Sequence, residues 1–367
     1  MFHLPQYHAP DFNLLEGAPD AVFLPAPKDG VAPDNFHAMS IYPEYFKHQG
    51  QWLLAQESRM DCVPVLENGA IVIREFRLLK QGDLVAVGRS EDGSEGIYLH
   101  PDGFVDEEDA QETFAFRQGR SRETAFSKDY NELYDLLRHE KEHGKIVWVM
   151  GPACSFDADT RAALAELIKE DYVHALLAGN ALATHDLEAG LYGTALGQDV
   201  YSQRTIPNGH YCHLDLLNHA RAAGSIPELI KKHQIKDGIV HACVQKNVPL
   251  VLAGSIRDDG PLPEVYSDVY KAQDAMRHEV RTATTVITLA TALHTIAVGN
   301  MSPSYRVRDS KVRPVYFYCV DVSEFPLNKL RDRGSLSSRT LVANVQDFVT
   351  HLARELCEST FPPPHKE

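Results

Sequence analysis

Short apolar runs alternate with amphipathic stretches from residue 131 to the C-terminal part of the chain. From Asn131 the order is an amphipathic stretch (NELYDLLRHEKEHG), an apolar run (KIVWVM), a turn (GPACSFDAD), a second amphipathic stretch (TRAALAELIKED) and a second apolar run (VHALLAG). Continuous apolar strands are typical of a parallel sheet covered on both faces, and parallel neighbours need a crossover helix. The pattern therefore predicts a βαβ unit.

The same alternation continues to the C-terminus. A strand (VPLVLAGS), a helix (KAQDAMRHEV), a strand (VYFYCVDV) and a final helix (ANVQDFVTHLARELC) follow in order. The apolar stretch from Thr284 to Val298 is shorter than a membrane span, and we interpret it as a second buried helix. The fold class predicted for residues 119–367 is α/β, a Rossmann-like, doubly wound parallel sheet.

The first part of the chain has a different pattern. Residues 1–34 carry six prolines without a sustained period, which predicts an extended, Pro-rich arm that packs on a partner subunit. Residues 35–118 contain short runs rich in β-formers (CVPVL, AIVIREFRLL, DLVAVG, GIYL) separated by Gly-containing turns. We expect a small β-rich domain here, with the domain boundary between about residues 105 and 125, set at 118–119, after the acidic segment PDGFVDEEDAQE.

Composition narrows the class of protein. The chain of 367 residues is 44% hydrophobic and has a formal net charge of −15, without a Lys/Arg-rich run, which argues against nucleic acid as a partner. Six widely spaced cysteines without a CxxC pair predict neither a disulfide framework nor a zinc ribbon. The histidines do not fall at metal-ligand spacings, and the N-terminus lacks the features of a signal peptide. We expect a cytoplasmic enzyme with no metal and no membrane contact.

Segments rich in Gly or small polar residues follow several predicted elements: residues 151–159, 178–186, 253–263, 298–301 and 320–323. Ligands of open α/β sheets bind at the carboxyl ends of the strands, so these segments predict one large ligand, a dinucleotide, although GxGxxG is absent. Taken alone, the Gly151-Pro152 turn is equally an ordinary connection, and Asp321 is a ribose ligand or a helix N-cap. The predicted cofactor-binding residues are Gly151, Pro152, Ala153, Cys154, Gly179, Asn180, Ala181, Gly254, Ser255, Ile256, Asn300, Met301 and Asp321.

Five strings carry a family resemblance: GNALATHDLEAGLYGTALG (179–197), AAGSIPELI (222–230), PLVLAGSIRDDGPLPEVYSD (249–268), LHTIAVGNMSP (293–303) and KLRDRGS (329–335). They resemble the archaeal-type ornithine cyclodeaminases, whose module also forms the C-terminal part of bifunctional arginine dihydrolase/ornithine cyclodeaminases. The family's N-terminal region is named for lysine-oxoglutarate reductase/saccharopine dehydrogenase. The resemblance implies a deoxyhypusine-synthase-like NAD domain and conversion of L-ornithine to L-proline and ammonia, with NAD recycled in each turnover.

Two strings depart from the family's pattern. The chain reads GPACSFD from Gly151 where the family is expected to read like GPAVVHTGG, and GHYCHL from Gly209 where a GxxNHL-like stretch is expected. Both departures fall in segments predicted to face the active site. The substrate that the resemblance implies is therefore L-ornithine or a close basic amino acid.

Cyclodeamination needs a base for the α-ammonium, a cation for the carboxylate and an acidic group for the distal ammonium. Arg257, Asp258 and Asp259 supply a cation and two carboxylates on one Gly-bounded loop. His185 and Asp186 follow the Gly179-Asn180-Ala181 turn, where His185 is a proton shuttle or part of a capped turn. Glu188 is a weaker candidate, and His294 is interpreted as a core histidine. The predicted catalytic residues are Asp258, Asp259, Arg257, His185 and Asp186.

Two other functions use the same sheet edge. An NAD-dependent amino-acid dehydrogenase or imine reductase would exchange its cofactor in every turnover, and a non-catalytic NAD-binding protein would bind the nucleotide without turning over a basic amino acid. The Pro-rich arm and the small β-rich domain predict a homo-oligomer, a dimer or tetramer.

Overall fold

The computed structural model describes residues 2–104, 127–258, 260–323 and 336–358. The predicted domain boundary at 118–119, the string at 329–335 and Asp259 lie outside these described residues. In the N-terminal domain the strands are β1 (Val22–Pro25), β2 (Glu44–His48), β3 (Gln51–Leu54), β4 (Cys62–Glu67), β5 (Ala70–Glu75), β6 (Leu84–Val87) and β7 (Ile97–Leu99).

These strands form two small antiparallel sheets, one in the order β1-β6-β4-β5 and the other in the order β3-β2-β7. Side chains from both sheets share one core, in which Phe46 and Ile97 pack with Ile71 and Ile73. Residues 71 and 73 are two positions apart, so they point to the same face of β5. The predicted β-rich domain is confirmed.

The prediction of an extended arm over residues 1–34 is wrong for its last part. Val22–Pro25 pairs with Leu84–Val87 as the edge strand of the larger sheet. Three of its four side chains are exposed, so backbone hydrogen bonds to β6 hold it in place. Because the strand does not have one buried and one exposed face, its sequence shows no alternation of apolar and polar residues, and sequence analysis did not detect it.

The second domain contains the strands β8 (Ile146–Met150), β9 (Ala175–Gly179), β10 (Thr194–Ala195), β11 (Gln198–Asp199), β12 (Leu250–Ala253), β13 (Thr285–Leu289), β14 (Tyr305–Arg308), β15 (Lys311–Pro314), β16 (Tyr316–Asp321) and β17 (Ser337–Val342). Its helices are α1 (Ser127–His143), α2 (Ala158–Lys169), α3 (Asn180–Tyr192), α4 (His210–Ala223), α5 (Ile226–His233), α6 (Ile239–Lys246), α7 (Val269–Val280), α8 (Ala292–Met301) and α9 (Val345–Leu356). Strands β10 and β11 form one hairpin, and β14 and β15 form another.

A parallel sheet of six strands organises this domain, in the order β12-β9-β8-β13-β16-β17. Counted along the chain, this is the 3-2-1-4-5-6 order of the Rossmann fold. Trp148 and Met150 of β8 pack with α2, α3, α6 and α9 on one face, and Val147 and Val149 pack with α7 and α8 on the other. The predicted doubly wound α/β sheet is confirmed.

The prediction of a buried helix from Thr284 to Val298 is wrong in its first half. Thr285–Leu289 is the central strand β13, and the helix α8 begins at Ala292. The run TVIT is rich in β-branched residues, which favour strands. Ala290 separates the two elements with a φ of +48°, in the left-handed region. None of the helices in the described ranges is long and apolar enough to span a membrane.

Candidate active site

The strand order of the sheet reverses between β8 and β13. The connections that follow these two parallel strands pass to opposite faces of the sheet. Gly151 follows β8, and a Cβ added there would clash with the carbonyl group of Ala290, which follows β13. Only glycine permits this approach of the two backbones. The point where strand order reverses is where Rossmann folds bind dinucleotides.

The N-terminus of α3 lies beside this point. Gly179 ends β9 and caps α3, whose first residues are Asn180 and Ala181. A Cβ added to Gly179 would lie 3.2 Å from Cε1 of His294, in the first turn of α8. The first turns of two helices therefore meet over the sheet edge, where free backbone N–H groups favour an anion such as a pyrophosphate. Burial lowers the pKa of His294, which favours the neutral imidazole.

Asn180 connects α3 to the loop after β12. Its side-chain oxygen accepts a hydrogen bond from the backbone N–H of Leu262 at 3.0 Å, and its Nδ2 lies 3.5 Å from Oδ1 of Asp258. Oδ2 of Asp258 accepts the backbone N–H of Ser255 at 2.7 Å and closes a tight turn. The structure thus brings Asp258 to the carboxyl end of β9, next to the predicted cofactor residues Gly179 and Asn180.

The tip of this turn is open to solvent. Ser255, Ile256 and Arg257 are exposed, and the Ile256 side chain is fully so. Gly254 is held at the end of β12 by a 2.9 Å hydrogen bond from its N–H to the carbonyl of Tyr266. The turn therefore presents one cation and one apolar side chain to solvent at the edge of the sheet.

His185 and Glu188 form a buried dyad on α3. Nδ1 of His185 lies 2.9 Å from Oε2 of Glu188, which is fully buried. Glu188 also accepts hydrogen bonds from the Thr194 hydroxyl (2.9 Å) and from the N–H groups of Leu196 (3.0 Å) and Gly197 (3.1 Å). Burial alone would raise the pKa of Glu188, but these hydrogen bonds lower it below its ordinary value, so the carboxylate stays charged. A carboxylate fixed in this way orients the imidazole.

Two neighbours of His185 lie in the strings that depart from the family's pattern. The ring of Phe156 is 5.4 Å from that of His185, and the ring of His213, on α4, is 6.2 Å away. Within the described part of the chain, Nδ1 of His213 is buried without a hydrogen-bond partner. From the sequence, Glu188 was only a weaker candidate, and Phe156 and His213 were not selected, although both lie in the two departing strings.

Asp186 occupies a different environment from its neighbour His185. Its Oδ1 accepts a hydrogen bond from Nε of Arg161 at 2.8 Å, and its Oδ2 accepts the backbone N–H of Val240 at 2.8 Å. Both oxygens are therefore engaged in a buried ion pair and in the start of α6. The turn predicted after Gly179 is part of the helix α3, so residues 185 and 186 point in different directions.

The remaining predicted cofactor residues divide into two groups. Cys154 is fully buried in the short helical turn after Gly151, and this burial raises the pKa of its thiol to about 12. The side chain of Asp321 accepts a hydrogen bond from the N–H of Ser323 at 2.8 Å. Both residues lie at the carboxyl edge. Asn300 and Met301 do not: they are the last two residues of α8 and lie about 12–14 Å along the helix axis from its first residue. The prediction of a strand-end loop at 298–301 is wrong, because β13 ends at Leu289 and the helix leads away from that edge.

The strand order and the glycines at the strand ends define a Rossmann-type domain. The family model described as arginine dihydrolase ArgZ-like, C-terminal, Rossmann fold matches residues 132–352, and the chain belongs to this family. An ornithine cyclodeaminase of Methanopyrus kandleri is 38% identical over 337 residues, which cover 90% of this chain and 77% of that protein.

Two solved structures extend the similarity to the N-terminal domain. A conserved LOR/SDH protein of Methanococcus maripaludis S2 matches with a TM-score of 0.82 and 34% identity, over 92% of this chain and 98% of that one. AgrE, the bifunctional arginine dihydrolase/ornithine cyclodeaminase of Nostoc sp., has been solved with ornithine and NAD+. That structure matches with a TM-score of 0.58 and 33% identity, over 92% of this chain and 46% of AgrE. The family resemblance inferred from the five strings is confirmed.

Proposed function

We propose that this chain is an NAD-dependent ornithine cyclodeaminase, which converts L-ornithine to L-proline and ammonia. The observation that carries the proposal is the convergence of Gly151, the N-terminus of α3 and the Asp258 turn at the point where the strand order reverses. The relatives named ornithine cyclodeaminase, and the AgrE structure with ornithine and NAD+, support the same reaction.

The residues at the sheet edge fit a dinucleotide. Gly151 leaves free the space that a Cβ would fill against Ala290, and the first turn of α3 offers backbone N–H groups to a pyrophosphate. We assign cofactor contacts to the backbone of residues 151–154 and 179–181, to the exposed 254–256 turn and to Asp321. Asn300 and Met301 are left out, because they lie at the far end of α8.

Bound NAD would accept a hydride from Cα of ornithine and return it to the cyclic imine. Before Cα can give up that hydride, a base must take a proton from the α-ammonium group. We assign this step to His185, whose imidazole is oriented by the charged Glu188. Asp186 is left out of the catalytic set, because Arg161 and the N-terminus of α6 occupy both of its oxygens.

The loop after β12 supplies the charges that the substrate needs. We propose that Asp258 receives the distal ammonium group and that Arg257, which is exposed in the free protein, pairs with the substrate carboxylate. The adjacent Asp259 remains a candidate from the sequence alone. Two carboxylates and one arginine on this loop match a basic amino acid better than a neutral one.

The physiological setting is part of the proposal. None of the six cysteines forms a disulfide, which fits the reducing cytoplasm, and the product assigns the enzyme to proline biosynthesis. We also propose a homo-oligomer, because the edge of the small N-terminal domain leaves the apolar side chains of Val22, Leu24 and Leu84 exposed, which offers surface for a neighbouring subunit.

The test is an ammonia-release assay on a panel of basic amino acids, with far less NAD than substrate. Release of ammonia and proline in large excess over NAD is the expected result. Stoichiometric NADH accumulation would instead identify a dehydrogenase, and bound nucleotide without turnover of any basic amino acid would identify a non-catalytic NAD-binding protein.

A further inference from the structure

A cleft lies between the two domains, far from the strand ends that form the candidate active site. Its volume is about 590 Å3. The Rossmann-type domain contributes Arg277 and Arg281 from α7 and Arg306 from β14, and the N-terminal domain contributes Glu57 and the apolar wall around Ile73. The backbones of the two domains are joined here, because the N–H of Val307 donates to the carbonyl of Gln56 at 3.0 Å.

The carboxylates at this cleft are already shared between arginines. Glu57 contacts Arg59 at 3.3 Å and also pairs with Arg281, while Arg277 lies 3.2 Å from Asp274. The remaining pairs join Glu75 to Arg59 and Arg277, and Asp274 to Arg77. The ion pairs contain three acidic groups, those of Glu57, Glu75 and Asp274. Together with Arg306, which lines the cleft, the cluster has five guanidinium groups: those of Arg59, Arg77, Arg277, Arg281 and Arg306. The cluster therefore carries two positive charges in excess.

Arg306 is the arginine that this network does not neutralise. Across the described residues, its guanidinium makes no ion pair, although its backbone bridges that of Glu57. Burial lowers the pKa of Arg306, attraction to Glu57 offsets part of this effect, and repulsion from Arg308, Arg281 and Arg313 adds to it. A partly buried cation without a counter-ion is unfavourable, so an anion in the cleft would remove this electrostatic cost.

We propose that this interdomain cleft is a binding site for an anionic metabolite, with Arg306 and Arg281 as its principal ligands. Guanidinium groups bind carboxylates and phosphates through paired hydrogen bonds, so the ligand carries one of these groups. The volume is within the range of small-molecule sites, and the apolar wall around Val72 and Ile73 accommodates an uncharged part of the ligand. Because both domains line the cleft, bound ligand stabilises the domain pair.

The test is calorimetric titration of the full-length protein with inorganic phosphate and with citrate, at constant ionic strength set with sodium chloride. We expect at least one of the two anions to bind and to raise the melting temperature. Arg306→Gln should weaken this binding at least about tenfold, because it removes a charge-assisted hydrogen-bond donor. Binding of phosphate alone or citrate alone supports the proposal and identifies the anionic group that is recognised.

The matched control is Arg354→Gln, an exposed arginine in the last turn of α9 that does not line the cleft. This variant should retain the affinity of the wild type within about twofold. Arg306→Gln should remain folded, with a melting temperature at least equal to that of the wild type in the absence of anion, since it relieves repulsion. The proposal is overturned if neither anion binds at millimolar concentration, or if Arg306→Gln binds the anion as tightly as the wild type.

Discussion

Replacement of Asp258 by asparagine separates a catalytic role of this residue from a structural one. Among the described residues, the carboxylate makes two contacts, an accepted hydrogen bond from the N–H of Ser255 at 2.7 Å and a longer contact with Nδ2 of Asn180 at 3.5 Å. The oxygen of an asparagine amide continues to accept from Ser255. The change therefore removes the negative charge while it retains the hydrogen bond that closes the turn.

The structural cost of Asp258→Asn follows from these distances. The amide nitrogen of the new side chain would face Nδ2 of Asn180 at 3.5 Å, beyond the range of a strong hydrogen bond, so the loss is below about 1 kcal/mol. For a chain of this size, that loss lowers the melting temperature by no more than about 2–4 °C. Loss of the carboxylate that pairs with the distal ammonium should reduce turnover at least about a hundredfold, about 2.7 kcal/mol of activation free energy.

The assay measures steady-state ammonia release, NAD affinity and melting temperature on the same preparations. Asp92→Asn in the N-terminal domain is the matched control, because Asp92 likewise accepts a backbone N–H, that of Ser94 at 2.9 Å, in an exposed turn. The control should keep wild-type turnover. Near-normal turnover by Asp258→Asn on the true substrate would show that the turn is structural and that the catalytic assignment is wrong.

Three further predictions concern the sheet edge, the dyad and the assembly. Gly151→Ala should lower the melting temperature and weaken NAD binding, because the new Cβ clashes with the carbonyl of Ala290, whereas Gly17→Ala, with no neighbour within 4 Å, should change neither. Glu188→Gln should reduce turnover at least about tenfold and lower the free energy of unfolding at neutral pH. The folded-state pKa of Glu188 is lowered, so its charge stabilises the fold above the unfolded pKa, and this contribution is lost as the pH falls through the folded pKa. Thermal melts at decreasing pH should therefore show that the stability difference between the wild type and Glu188→Gln shrinks. A constant difference would contradict the assignment. Light scattering should give a dimer or tetramer at micromolar concentration, and a monomer would refute the proposed assembly.

The pattern of apolar runs predicted most of the sheet, because β8, β9, β12 and β16 are continuous buried strands between clear turn signals. The central strand β13 was interpreted as helix, since it runs into the apolar helix α8 with only Ala290 and Thr291 between them. A short apolar run does not distinguish a buried strand from a buried helix, and the β-branched residues were the available signal. Because of this error, a ligand-binding loop was predicted at residues 298–301, which lie at the C-terminal end of α8 and not at the N-terminal end that faces the sheet edge.

The candidate site was predictable where it depends on strand ends and not where it depends on side-chain direction. Gly179 ends a strand, and Gly151 and Asp258 follow strands, so the topology alone brings them together. His185 and Asp186 are neighbours in sequence, but helix geometry turns one toward Phe156 and the other toward Arg161. Glu188, one turn later on α3, was only a weaker candidate in the sequence, and the structure identifies it as the carboxylate that pairs with His185.

The central claim is that the hydride taken from Cα of ornithine returns to the same molecule. Turnover of L-ornithine deuterated at Cα, in the presence of a large excess of unlabelled NADH, tests this claim directly by mass spectrometry of the proline formed. We predict that the proline retains the deuterium at Cα and that the free NADH remains unlabelled. Deuterium in the free NADH with unlabelled proline would contradict the account, because it would show that the cofactor exchanges within each turnover.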